Sequence, residues 1–218
     1  MVRVLSTRIL TPEQRLLLPD SVELVAYDAL EVTCFPVAQD WSAEDLLVFT
    51  SRNAVRACFA QKATQVNSCY CVGSKTAEAL REAGQEVLGV YENAGALAQA
   101  LIQENTKQNI IFFCGNRRLD TLPEALAQAG IPMEAREVYA TTLVQKKFGQ
   151  NFDALLFFSP SGIAAFTSAN PIGKALAVCI GPTTAAAAKK YTNRYCNALH
   201  PSVEAVLQTL ISEMELQP

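Results

Sequence analysis

Short apolar runs punctuate the chain: Val2-Arg3-Val4-Leu5, Leu46-Leu47-Val48-Phe49, Ile110-Ile111-Phe112-Phe113, Ala154-Leu155-Leu156-Phe157-Phe158 and Ala175–Ile180. Between them lie Ala/Leu/Glu-rich segments with helical spacing. The runs are four to six residues long, the length of a strand. Their alternation with helices predicts βα units and a parallel sheet. Helix starts are signalled at Thr11-Pro12-Glu13-Gln14 and Thr121-Leu122-Pro123-Glu124, where a hydroxyl three residues before Gln or Glu suits a capping box and proline is tolerated in the first turn. Ser51, Ser74, Ser159 and Thr183 or Thr184 fall where a strand gives way to a helix. In an open α/β sheet such loops line the ligand crevice.

The pattern repeats. Ser51 and Ser159, Gly73 and Gly181, and Thr76 and Thr184 are each 108 residues apart, inside matching apolar and small-residue contexts. The same shift lays Val2–Ser6 over Ile110–Cys114. One unit of about 100 residues is therefore duplicated. Around Pro36 and around Tyr139–Thr142 the chain carries β-branched and aromatic residues, among them Val32, Thr33, Phe35, Val37, Val138, Thr141 and Val144. These suit two extended crossings between two lobes.

Composition narrows the function classes. Of 218 residues, 50% are hydrophobic and 18% charged, which excludes disorder and collagen-like repeats. Eighteen Lys plus Arg against 21 Asp plus Glu give a net charge of −3 with no long basic run, so nucleic acid is not an expected partner. The apolar runs stop far short of the ~20 residues of a spanning helix. The first residues lack the apolar block of an export signal, so a cytoplasmic protein is expected. Seven cysteines without CxxC spacing read as core thiols of a reducing compartment. Cys69-Tyr70-Cys71 alternates faces along a strand and only one histidine exists to help, so no metal site is expected.

No GxGxxG, GxxxxGK[ST], HExxH or GxSxG motif is present. His200 reads as a loop residue, and nothing in the spacing links it to Cys114 as base to nucleophile. What remains is a set of hydroxyls and backbone N–H groups at helix starts, which bind anions through orphan amides and the helix dipole. Each taken alone reads as an ordinary cap; four in equivalent places suit a polyanion. Cys114-Gly115-Asn116-Arg117-Arg118 follows a strand. Its glycine allows close approach, while Asn116 and an arginine face a carboxylate or phosphate, or the segment is simply a turn. Tyr139 by itself reads as strand packing, and Trp41 as a linker or helix-entry residue without chemistry.

The blocks Phe49-Thr50-Ser51-Arg52-Asn53-Ala54-Val55, Val72-Gly73-Ser74-Lys75-Thr76-Ala77, Phe113-Cys114-Gly115-Asn116, Val138-Tyr139-Ala140-Thr141, Phe157-Phe158-Ser159-Pro160-Ser161-Gly162 and Ile180-Gly181-Pro182-Thr183-Thr184-Ala185 resemble, in order and spacing, the uroporphyrinogen-III synthase family. The resemblance implies two flavodoxin-like α/β lobes joined by a two-stranded linker: residues 1–35 with 144–218, residues 40–136, and linker strands at 36–39 and 137–143. It places the active site in the cleft between lobes. It also implies a monomeric lyase of haem biosynthesis that cyclises hydroxymethylbilane, a linear tetrapyrrole rich in carboxylates, to uroporphyrinogen III without a cofactor. The last ring is inverted through a spiro intermediate. By position Tyr139, Thr76 and Thr184 match the family's implicated hydroxyls, with the Tyr139 phenol as proton donor. Ser51, Ser74, Asn116, Ser159, Ser161 and Gly181 would hold carboxylates. The role of Arg117, and any transfer of substrate from hydroxymethylbilane synthase, stay open. The alternatives are a non-catalytic flavodoxin-like module binding tetrapyrroles or anions, and a flavin carrier, against which stands the lack of a phosphate loop rich in Thr and Gly.

Overall fold

In chain order the elements are β1 (Val2–Ser6), α1 (Pro12–Arg15), β2 (Val22–Ala26), β3 (Leu30–Cys34), β4 (Leu46–Phe49), α2 (Arg52–Cys58), β5 (Ser68–Val72), α3 (Ser74–Glu82), β6 (Glu86–Tyr91) and α4 (Ala94–Glu104). They continue with β7 (Ile110–Gly115), α5 (Thr121–Gln128), β8 (Met133–Leu143), β9 (Ala154–Phe157), α6 (Pro160–Thr167), β10 (Leu176–Cys179), α7 (Pro182–Ala188), β11 (Tyr195–Asn197) and α8 (Val203–Glu213). The computed structural model describes residues 1–61, 63, 65–104 and 107–216. The chain divides into two units, Met1–Glu31 with Thr142–Pro218, and Val32–Thr141.

The first unit holds a sheet ordered β11-β10-β9-β1-β2 and the second a sheet ordered β3-β8-β7-β4-β5-β6. From β11 to β2, and from β8 to β6, neighbouring strands run parallel. The 108-residue shift carries β4, β5 and β6 onto β9, β10 and β11, and β1 and β2 onto β7 and β8, so five strands of each sheet share one order, and β3 adds a sixth beside β8. Duplicate and unit are out of phase, because β1–β2 of the first repeat complete the sheet of the second. The order reverses between β1 and β9 in one unit and between β7 and β4 in the other, the places where open α/β sheets take ligands.

Registers refine the repeat. Leu47 faces Cys69 as Leu155 faces Ala177, in agreement with the shift. Leu46 faces Ile110 in the second unit, but Ala154 faces Val4 rather than Val2 in the first. The slip is two residues, an even number, so every side chain keeps its face.

Residues of β4, β7, β9 and β10 are buried at every position. The reason is visible along β9, where Leu155 and Phe157 enter one core cluster and Ala154 and Leu156 the other. In the second unit Ile111 and Phe113 face one layer, and Ile110, Phe112 and Cys114 the other. Two-sided cover is what an uninterrupted apolar run encodes, and each such Phe or Leu contributes roughly 1.5–3 kcal/mol of burial.

Three local expectations change. The linker strand expected at 36–39 is not a strand. The extended segment is β3, ending at Cys34, because Pro36 has no N–H to pair and restrains Phe35. The companion segment 137–143 lies inside the longer β8. Trp41 is a core residue, 5% exposed, packed edge-on against Phe113 at 5.0 Å, with its Nε1 donating to Asn67 Oδ1 at 3.2 Å. The Thr11 capping box forms, but the second does not. Asp120 takes the cap of α5, leaving Pro123, which has no N–H, at the position that would donate to it.

Candidate active site

At the strand ends of the second unit, Ser51 caps α2, its Oγ accepting from Asn53 N at 3.1 Å. In the first unit Ser159 caps α6 in the same way, accepting from Gly162 N at 3.0 Å, and Ser161 follows in the first turn. The loops after β5 and β10 are built differently from expectation. Gly73 and Gly181 are the N-caps, so Ser74 is the first residue of α3 and Thr183 the second of α7. With no side chain at the cap, the N–H groups of Ser74 and Lys75 in α3 and of Thr183 in α7 have no acceptor among the described residues, while those of Thr76 and Thr184 donate to the glycine carbonyls.

Thr76 and Thr184 each occupy the third helical position behind those glycines. Both residues are buried, and neither hydroxyl has a hydrogen-bond partner among the described residues. A Cβ added at Gly73 or Gly181 would meet no atom within 4 Å, so the space beside each cap is open. Helices α2, α3, α4, α6 and α7 carry no acidic residue in the first turn, whereas α1, α5 and α8 carry Glu13, Glu124 and Glu204.

Tyr139 lies on β8, half-buried beside Phe113 and Val138, and its ring covers Gly115 at the end of β7. Asn116 comes next, but its side-chain amide is committed: Oδ1 accepts from Thr141 N at 2.9 Å and Nδ2 donates to Thr141 O at 3.4 Å. Ser51, Ser74, Thr76, Asn116 and Tyr139 belong to one unit and Ser159, Ser161, Gly181 and Thr184 to the other.

A family model described as uroporphyrinogen-III synthase HemD matches residues 30–208. The chain belongs to the uroporphyrinogen-III synthase family. Its function is the synthase step of haem biosynthesis, and it is an enzyme acting on tetrapyrroles. The uroporphyrinogen-III synthetase of Helicobacter pylori 26695 is similar at 18% identity and a TM-score of 0.72, over 98% of this chain and 100% of that one. A mutant uroporphyrinogen III synthase of the extremely thermophilic bacterium Thermus thermophilus is similar at 17% identity and a TM-score of 0.62, over 100% of both chains. At such identities the likeness is one of fold: parallel-sheet α/β.

Other candidates of this synthase fold fall away or gain a plain role. Cys114 is 2% exposed and burial pushes its thiol above the ordinary range, the reverse of an activated nucleophile. Burial also lifts Cys69 and Cys179 to about 12 and Cys196 to about 11, and all seven cysteines are free. His200 is an exposed loop residue. Arg117 is exposed and makes no ion pair among the described residues, while its neighbour Arg118 approaches Asp120 at 3.5 Å. Among the described residues no helix is long and apolar enough to cross a membrane, and no cluster of metal ligands forms. Sequence reasoning missed two features of these loops. Thr7 is buried and donates its hydroxyl to Leu156 O at 2.7 Å, and a Cβ at Gly162 would come within 3.2 Å of that hydroxyl. The signal for the pair was the bare glycine in Ser159-Pro160-Ser161-Gly162.

Proposed function

We propose that this chain acts as a cofactor-free lyase, cyclising hydroxymethylbilane to uroporphyrinogen III with inversion of the last pyrrole ring through a spiro intermediate. The pyrrole nitrogen of the first ring expels the terminal hydroxyl as water, leaving an azafulvene that closes readily by itself, and to the wrong isomer. The protein's work is then geometric: it holds the chain so that attack falls on the substituted carbon of the last ring. The Tyr139 phenol donates the proton that leaves with the hydroxyl. Thr76 and Thr184 donate to substrate through their hydroxyls. Ser51, Ser74, Ser159, Ser161 and Gly181 hold carboxylates through first-turn amides and hydroxyls. The substrate is the tetrapyrrole released by hydroxymethylbilane synthase, and the enzyme works as a cytoplasmic monomer.

The observation that carries this reading is the pair of glycine-capped helix starts, each with open space beside the cap and a threonine hydroxyl without a partner among the described residues. The deciding experiment supplies hydroxymethylbilane, freshly generated by its synthase, and separates the oxidised products by isomer. Predominantly uroporphyrin III is expected. The I isomer alone, from protein shown to be folded, would overturn the reading in favour of a binding module.

A further inference from the structure

Tyr139 faces its side of the sheet because of a single inserted residue. From Ile110 opposite Met133 to Cys114 opposite Glu137, β7 and β8 keep one register; then Gly115 pairs with Tyr139, so Val138 is extra. In an uninterrupted ladder Tyr139 would share the face of Glu137 and Cys114, and Cys114 packs with Phe112 and Leu126. With the bulge, Tyr139 joins Val138 and Phe113 on the opposite face. Bulges re-aim side chains in this way and favour functional sites.

Two neighbours hold the re-aimed residue. A Cβ at Gly115 would lie 2.5 Å from Cε2 of the Tyr139 ring and closer still to Cζ, so only a hydrogen fits beneath the ring. The backbone of Gly115 is not left-handed, so the ring and not the main chain demands glycine. On the next residue, Asn116 N donates to Tyr139 O at 3.2 Å, while the Asn116 side chain bonds both the N–H and the C=O of Thr141. That amide substitutes for one more rung of the ladder past the bulge. With the Asn116 N–H bond it pins the backbone from the Tyr139 carbonyl to Thr141, although Asn116 itself is exposed and gains nothing from burial.

We propose that Gly115 and Asn116 are positioning residues for Tyr139: the glycine sets the height of the ring above β7, and the asparagine fixes the bulged backbone that carries it. The inference rests on the reading of Tyr139 as proton donor.

The test is steady-state kinetics with freshly generated hydroxymethylbilane on Asn116→Ala, Asn116→Asp and Gly115→Ala, each in the natural and the Tyr139→Phe background. Asn116→Ala is expected to lower kcat about tenfold with KM within about twofold, the signature of a displaced reacting group rather than a lost substrate contact. In the Tyr139→Phe background it should cost nothing further, because the group it positions is gone. Asn116→Asp keeps the acceptor for Thr141 N–H and should recover most of the loss. Raised KM with unchanged kcat would make Asn116 a substrate contact and overturn the proposal, as would an equal loss of rate in both backgrounds. If Gly115→Ala does not fold, the asparagine variants still decide. A Tyr139→Phe enzyme at full rate would remove the proton donor itself, and the positioning role with it; that failure is visible in the single variant alone.

Discussion

Thr76 and Thr184 stand at the same point of two helices, α3 and α7, that belong to different units. Each backbone N–H donates to the carbonyl of the glycine three residues earlier, at 3.1 and 3.0 Å, and the residues are 5% and 3% exposed. Neither hydroxyl has a hydrogen-bond partner among the described residues.

Replacing either threonine by valine keeps shape and removes the bond. Loss of a hydrogen bond to a charged group costs about 1.5–3 kcal/mol, or roughly ten- to a hundredfold in kcat/KM. Thr76→Val and Thr184→Val should each show that loss with little change in Tm. Lys75→Gln, at an exposed position of the same turn, should cost less than about threefold. A larger effect at Lys75 would mean that charge rather than caps holds the substrate.

The two cap glycines should respond differently to one added methyl group. Gly73 has φ of 85°, a conformation that only glycine adopts easily, whereas Gly181 at φ −178° is ordinary extended backbone. Gly73→Ala is therefore expected to lower stability by about 1–3 kcal/mol more than Gly181→Ala, read from urea midpoints. Gly181→Ala should stay folded and raise KM, since the added carbon enters space that the protein leaves open.

Tyr27 is 5% exposed, its hydroxyl is buried without a partner among the described residues, and burial raises its pKa to about 12. The folded chain thus holds this proton more tightly than the unfolded one, whose phenol titrates near 10. Its share of stability is intact below about pH 10 and lost as pH climbs towards 12. Tyr27→Phe removes an unsatisfied group, so it should be neutral or stabilising by about 1 kcal/mol at pH 8. It should also flatten the alkaline loss relative to the natural chain in denaturation series at pH 8 and pH 11.

Phe113 joins the core to the site, since it stacks on Phe49 at 5.1 Å, meets Trp41 at 5.0 Å and lies two residues before Gly115. Phe113→Ala should cost about 3–5 kcal/mol by urea denaturation. Phe113→Leu, which keeps more of the volume, should cost markedly less and retain activity.

The amino-acid sequence by itself determined the elements and their repetition. Uninterrupted apolar runs such as Leu46–Phe49 and Ala154–Phe157 specify two-sided strands, and the 108-residue shift specifies two sheets that share one order over five strands. Hydroxyl caps at Thr11, Ser51 and Ser159 are equally local, because a cap involves residues two or three apart. Tertiary structure decided what depends on partners far along the chain. The Val138 bulge that turns Tyr139, the ring over Gly115 and the commitment of Asn116 to Thr141 arise from pairing between residues more than 20 apart. So does the burial of Trp41 against Phe113. Period and capping are properties of a short stretch of backbone, whereas register is set by which hydrogen bonds two distant strands exchange.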